Sequence, residues 1–410
     1  MPTLLRRACL LLATVALLGA INEGLTRVGV TYRNTDTEDL GKLPLLVRLA
    51  GNPYNVQILI IAGVNIILAV SLNLINGITG QFSIGHAGFM AIGGYAAATL
   101  TKFIGPRLIE ALHLSPLGAA NVLLPLALVL AALAAALAGL LVGVPSLRLK
   151  GDYLAIVTLG FGEIILVLIV NIEQIGGARG FPDIPLYTNF FWVYLMAVAT
   201  VATVRNLMMS AHGRALMAVR DDEVAAEAVG INTTLYKVAA FVMGSAFAGM
   251  AGALQGHFIQ SLHPNSFSFL KSVEVLVMIV LGGLGSLTGS IFAAVSLTVL
   301  QEVLRELPGV MWCAYGLVAL GAVTAYPRYT ARRPLFAINV ALAVTLVWLL
   351  FHFGAGELEA RKQYLRMIVY SFMLIVLMLQ RPQGLLGRGE VSLDWFRRIA
   401  RRRGGKPVAA

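Results

Sequence analysis

Residues 210–234, SAHGRALMAVRDDEVAAEAVGINTT, form a charged, helix-favouring island between long apolar runs. Arg214 and Arg220 precede an acidic first turn of Asp221, Asp222 and Glu223, and Ala225, Ala226 and Ala228 favour helix. Gly230 is placed to end that helix, and Asn232, Thr233 or Thr234 to cap the next one. The plainer reading is a solvated loop that obeys the bias of basic residues toward the inner side of a membrane. The helix signals go beyond it, and they predict a short exposed docking element between two spans.

Working outward, 58% of the residues are hydrophobic and only 12% are charged, with several apolar runs of the length that crosses a bilayer. The fold class is therefore an all-α polytopic membrane protein. The net charge of +11 does not indicate nucleic acid, because the basic residues gather beside span ends and in the tail RRIARRRGGK with few aromatics among them. Cys9 and Cys313 both lie in apolar segments and form no metal-ligand spacing, so they are expected in the core.

Candidate spans fall at about 4–21, 54–76, 82–104, 117–144, 152–172, 189–209, 236–262, 310–327, 334–353 and 364–380, or about 10 transmembrane helices. The apolar interval 270–304 is broken by Gly282-Gly283-Leu284-Gly285-Ser286 and is read as a re-entrant segment that enters and leaves on the outer side. With Arg6 and Arg7 inside, alternation then puts Arg148, Lys150, the 210–234 island, Arg328, Arg332, Arg333 and the basic tail inside, and loop 22–53 outside. Arg6, Arg7, the following apolar run and Gly19-Ala20 also fit a cleavable signal peptide; a retained span is the favoured reading, and either leaves the remaining topology unchanged.

Small residues recur at helical spacing, as in Gly244, Ala248, Gly252, Gly256 and in Ser83, Ala87, Ala91, which suits close helix packing or the lining of a path. The stretches GQFSIGHAGFMAIGGY and MIVLGGLGSLTGS point to irregular backbone at membrane depth, tolerated only inside protein or along a wet cavity. Gly80, Gln81, Gly85, His86, Gly282, Gly283 and Gly285 are therefore candidates for a translocation path. Glu163 joins them, since it lies near mid-bilayer in its span, where it either faces a path and couples protons or hydrogen-bonds to a neighbour such as Asn65 or Asn73. His86 and His257 are expected to make helix-packing hydrogen bonds, and Glu274 to lie at the interface. No histidine arrangement forms a metal site. There is no G-x-x-x-x-G-K-[ST], no Ser-His-Asp or Cys-His constellation, and Asp36, Glu38 and Asp39 stand too isolated for catalysis. Transport outranks catalysis, and the chain is expected not to be an enzyme.

Several stretches together resemble a known family. NLINGITGQFSIGHAGFMAIGGY (73–95), PSLRLKGDYLAIVTLGFGEI (145–164), GGARGFPDIP (176–185), GRALMAVRDDEVAAEAVGINTT (213–234), HPNSFSFLKSVEVLVMIVLGGLGSLTGS (263–290), LQEVLREL (300–307) and RPQGLLG (381–387) are similar to permease subunits of the branched-chain amino acid ABC importers, the LivM type. The resemblance implies the ABC importer permease fold, a second homologous permease subunit, two ATPase subunits and a periplasmic substrate-binding protein as partners, and an inner-membrane location among lipid. It implies no cofactor in this chain, ATP and Mg being bound by the ATPases, and Leu, Ile and Val as substrates, with permeases for other amino acids, urea or amides as alternatives.

By the same resemblance, the island is the coupling region that rests on an ATPase. Glu223, Ala225, Ala226 and Gly230 stand nearest to the EAA-type loop, with the acidic residue shifted by one position, and Arg214, Arg220, Asp221, Asp222 and Glu223 are the expected contacts. The chain departs from the family after LREL, where residues 308–363 bring two extra candidate spans. The expected organisation is 1–53 as first span and outer loop, 54–307 as permease core, 308–363 as insertion, and 364–410 as final span and basic cytoplasmic tail. The rival from another class is a self-sufficient secondary transporter in which Glu163 couples to an ion.

Overall fold

A computed structural model of the chain describes residues 2–33, 51–113, 115–147, 149, 151–305 and 375. Twelve α-helices are used below: α1 (Pro2–Arg33), α2 (Pro53–Asn73), α3 (His86–Thr99), α4 (Gly105–Ala111), α5 (Pro116–Ser146), α6 (Asp152–Asn171), α7 (Phe190–Met209), α8 (Ala211–Asp221), α9 (Glu223–Ala228), α10 (Thr233–Ile259), α11 (Phe269–Gly282) and α12 (Leu287–Val303). There is no strand among the described residues, only an isolated bridge between Phe181 and Leu262. The chain divides into two compact units, residues 1–295 with 383–410, and residues 296–382. In the second, Arg305 pairs with Glu302 at 3.2 Å.

Local chemistry starts the helices where the side chains allow it. Asn52 accepts a hydrogen bond from the Tyr54 amide and Pro53 opens α2; Ser115 caps α5, Asn189 caps α7 and Asn232 caps α10 through the Leu235 amide at 3.0 Å. The Asn232 cap starts α10 three residues before the expected 236–262 span. Two π turns, Leu74–Ile78 and Leu100–Ile104, continue α2 and α3.

Six stretches among the described residues are long and apolar enough to cross a membrane: Pro53–Ile78, Gly118–Ser146, Asp152–Asn171, Phe190–Met209, Thr233–Ile259 and Pro264–Gly282. The molecule is thus a polytopic helical membrane protein. Five of these coincide with expected spans. The sixth comes from the interval read as re-entrant, whose break falls at the end of α11. The expected 82–104 span starts late, at His86 after irregular backbone, and its 14-residue helix runs on through the π turn to Ile104. The expected 4–21 span lies within α1, which continues to Arg33 with Glu23 and Arg27 paired one turn apart. The expected spans 310–327, 334–353 and 364–380, with Arg148, Lys150, Cys313 and the basic tail, lie outside the described residues.

At the centre, α10 packs along α5 and α3 and crosses α2. The backbones approach closely: a Cβ on Gly93 of α3 would overlap Gly249 of α10, and one on Gly252 would overlap the Met90 carbonyl. With little hydrophobic drive between helices in lipid, such contacts hold a bundle through van der Waals packing. The row Gly244, Ala248, Gly252, Gly256 is buried.

One end of the bundle carries α8 and α9. The opposite end carries the loop 172–189, where Phe181 pairs with Leu262, Lys102 donates to the Pro182 carbonyl at 2.6 Å, and Lys102 Nζ sits 4.7 Å from the centre of the Phe181 ring.

Candidate functional site

The island folds as two helices rather than one. Ser210 caps α8 through the Gly213 amide, and α8 carries Arg214 and Arg220. Asp222 leaves helical geometry and accepts from the amides of Val224 and Ala225 at 2.9 and 3.1 Å, so it is the cap of α9 and not part of a first turn. Gly230, with φ of 85°, ends α9 in the left-handed conformation that favours glycine.

Arg220 is the junction of the site. Its Nη1 donates to the Gly77 carbonyl at 3.2 Å, while Nε and Nη2 hold Asp221 Oδ1 at 3.1 and 3.0 Å. Its aliphatic stem lies against Gly80, where a Cβ would come within 2.7 Å of Arg220 Cγ. Its Nη1 lies beside Gly285, where a Cβ would come within 3.3 Å. One side chain of α8 therefore touches the π turn after α2, the bend at Gly80 and the turn between α11 and α12.

Asn73, the last residue of α2, joins the two glycine breaks to each other. Its Oδ1 accepts from the Gly285 amide at 2.8 Å and its Nδ2 donates to the Ser286 carbonyl at 3.0 Å. Asn73 is fully buried, and a Cβ on Gly77 would overlap both Asn73 Oδ1 and the Gly285 amide nitrogen. Gly283 and Gly285 take positive φ in this turn, and Gly282 is packed on Gly289. The break thus lies at the island end of α2.

The other path candidates form a second group. From Gly80 to Gly85 the backbone is irregular, clamped by Asn76, which donates to the Ser83 carbonyl at 3.1 Å and accepts from the Ser83 amide at 3.2 Å. Thr158 Oγ1 of α6 accepts from the Ile84 amide, and Ser272 Oγ of α11 from the Ala87 amide. Gln81 is buried with its carboxamide unpartnered among the described residues, as is His86 Nδ1; His86 Nε2 is 2.9 Å from Ser71 Oγ. A cavity of about 190 Å³ opens between Gln81, Leu149, Arg220 and Lys237.

Glu163 stands apart. It lies on the exposed face of α6 among Ile156, Ile164 and Val167, while its neighbour Gly162 packs on Gly85. The two asparagines expected as its alternatives are engaged elsewhere: Asn73 serves Gly285 and Ser286, and Asn65 accepts from Lys271. Glu274, expected at the interface, pairs with Lys271 at 3.1 Å, and Lys271 reaches Asn65 near the middle of α2.

The charged cluster is also divided by the fold. Glu223 turns inward to Lys237, at 2.5 Å, and Asp221 remains exposed beside Arg220. Ala226 is buried beneath α9. What α8 and α9 present outward is apolar as well as charged, with Val224 71% and Val229 77% exposed. Sequence reasoning passed over these valines because the surrounding charges mask them. At the far end, His257 Nε2 lies 2.9 Å from Thr101 Oγ1, its ring stacks on Tyr187, and burial pushes the Tyr187 phenol above its ordinary pKa. Among the described residues no group of His, Cys, Asp and Glu could hold a metal.

Arg220 and Asn73 thus link the island to the two glycine turns, and comparison with known proteins gives the family. A family model described as branched-chain amino acid transport system, permease component, matches residues 54–378, which takes in α2 to α12. The high-affinity branched-chain amino acid transport system permease protein LivM of Salmonella typhimurium is 35% identical over 330 residues, 71% of this chain and 73% of the relative. A probable branched-chain amino acid transport permease protein LivM of Methanocaldococcus jannaschii is 27% identical over 57% of this chain and 76% of its own length. The LivH permease protein of Salmonella typhimurium is 33% identical over 25% of this chain and 33% of its own. No solved structure matches. With a model match over most of its length and a LivM relative above 30% identity, the chain belongs to the branched-chain amino acid transport permease family.

Proposed function

We propose that this chain is the transmembrane permease subunit of an ATP-driven ABC importer for leucine, isoleucine and valine, and that it forms the translocation path with a second, homologous permease subunit. The observation that carries this reading is Arg220, which ties the island to the glycine turns at Gly77–Gly80 and Gly283–Ser286. An importer driven by partner ATPases needs a rigid lever between their docking surface and the membrane-embedded backbone. Helices α8 and α9 are that lever.

The ATPase subunits, which bind ATP and Mg, rest on the outward face of α8 and α9 through Val224, Val229 and the exposed Asp221. Arg214, exposed on α8, belongs to the same docking face, and the inward Glu223–Lys237 pair holds the lever to the body. A periplasmic binding protein delivers the substrate at the end carrying loop 172–189, and the island faces the cytoplasm of a cell whose inner membrane holds the complex. Residues 54–307 are the permease core, 308–363 a peripheral insertion, 364–410 the final span and basic tail, and 1–53 the first span and outer loop. The names of the LivM and LivH relatives support the substrate class and the second permease.

Affinity purification of the tagged chain in mild detergent tests the reading. Recovery of a second permease and ATPase subunits, with leucine uptake in liposomes that requires ATP, is the expected result. Recovery of the chain alone, still transporting without ATP, would overturn it.

A further inference from the structure

Lys271 and Glu274, one turn apart at the start of α11, form an ion pair of 3.1 Å, and Lys271 Nζ also donates to Asn65 Oδ1 at 3.2 Å. Asn65 is the midpoint of the 26-residue stretch Pro53–Ile78, so the pair lies at the middle depth of the membrane-crossing length. Asn65 is 2% exposed, whereas the Lys271 and Glu274 side chains keep 16% and 21% exposure. The charges are sheltered, yet reachable.

An ion pair within α11 whose lysine reaches Asn65 of α2 is an expensive way to pack these two helices. Removing both charges from water costs more than their attraction returns unless the geometry is good, and apolar side chains of the same size make the contact more cheaply. Helix α11 begins just after a 3-10 turn, Pro264–Phe267. The segment before it is folded against Tyr95 of α3, whose hydroxyl donates to the Leu262 carbonyl at 3.4 Å and whose ring lies 6.2 Å from that of Phe267. A short helix bounded by a 3-10 turn and by the break at Gly283, carrying a cation and an anion in its first turns, is the arrangement that meets a small charged solute near the midplane.

We propose that Lys271 and Glu274, positioned by Asn65, are a mid-membrane binding site for the carboxylate and ammonium of a translocating α-amino acid zwitterion. The solute carboxylate replaces Glu274 as acceptor of the Lys271 ammonium, and the solute ammonium takes Glu274. Asn65 keeps Lys271 in place during the exchange. The net charge of the site does not change when a neutral zwitterion enters, while an amino acid with a charged side chain adds a charge that nothing there compensates. The site rests on the import reading above and gives that reading its substrate contacts.

The test uses the complete transporter in proteoliposomes, with ATP in the lumen and binding protein with radiolabelled leucine outside. The double variant Lys271→Met with Glu274→Met keeps the packing and removes the charges. It is expected to assemble and hydrolyse ATP as the wild type does, with initial uptake reduced roughly tenfold or more. Lys271→Arg, which keeps the pair, is expected to retain most uptake, and Glu274→Gln to lose it with assembly intact. Undiminished uptake by the double Met variant, or by Glu274→Gln where the double variant fails to assemble, makes the pair a packing device and overturns the site alone. Wild-type vesicles that import no leucine overturn the import reading itself.

Discussion

The Arg220 guanidinium donates to the Gly77 carbonyl at 3.2 Å across a separation of 143 residues, and this bond joins the island helix α8 to the membrane-embedded end of α2. Gly77 can sit there only because it lacks a side chain, since a Cβ would overlap Asn73 Oδ1. The pair makes the position of the island and the shape of the glycine turns one variable. In the proposed importer, ATP-driven movement of α8 reaches the turn at Gly283–Ser286 through these two residues and Asn73.

Asn73→Ala is expected to loosen that linkage. It leaves the Gly285 amide and the Ser286 carbonyl without their Asn73 partner, and a buried group left unsatisfied costs about 1–3 kcal/mol. The variant should unfold at a lower temperature in detergent and hydrolyse ATP with less uptake per turnover. Unchanged melting and unchanged coupling would remove Asn73 from the mechanism.

Gly77→Ala tests the same junction from the backbone side. The added methyl has no space beside Asn73 and Gly285, and overpacking of this kind typically costs about 1–3 kcal/mol. Reduced yield of folded protein is the expected outcome, whereas Gly160→Ala, at an open position, should be tolerated. Size-exclusion profiles of the two variants side by side decide it.

Much of this was legible in sequence and some was not, for reasons that differ by residue. Helix starts at Asn232 and the stop at Gly230 follow from neighbouring side chains, so a local reading reaches them. Asp222 misleads because three successive acids look like one first turn, whereas only the fold shows that Asp222 caps a second helix. Asn73 and Gly285 are 212 residues apart, and no local pattern joins them. Glu163 drew attention as an acid in an apolar run, yet helical position alone does not say which face of α6 turns toward the bundle. Glu274 reads as interfacial in sequence, and its partner Lys271 and the reach of Lys271 to Asn65, 206 residues away, show only in the fold.

The outward valines give a prediction about partners. Val224→Asp with Val229→Asp places charge on the exposed face of α9 without touching Ala226 beneath it. If this face seats an ATPase, loss of apolar contacts at the centre of an interface should weaken co-purification roughly tenfold or more. Full recovery of the ATPases with the double variant would put the docking surface elsewhere.

Glu163→Gln separates ATP-driven from ion-driven transport. The carboxylate lies on the exposed face of α6, away from the Arg220 junction. ATP-dependent uptake is expected to persist in the variant and to be insensitive to collapse of the proton gradient in both variant and wild type. Uptake abolished by gradient collapse, or by Glu163→Gln alone, would favour the secondary-transport reading.

The most direct measurement is the number of ATP molecules hydrolysed per leucine imported by the reconstituted transporter, wild type against Arg220→Ala. A charge-assisted hydrogen bond worth about 1.5–3 kcal/mol corresponds to roughly a ten- to hundredfold change in a two-state population. The variant complex is expected to keep its subunits and its ATP hydrolysis while the ATP consumed per leucine rises at least about tenfold. An unchanged ratio, with the Arg220 contact to Gly77 removed, would contradict the claim that this residue carries the motion of the island into the membrane.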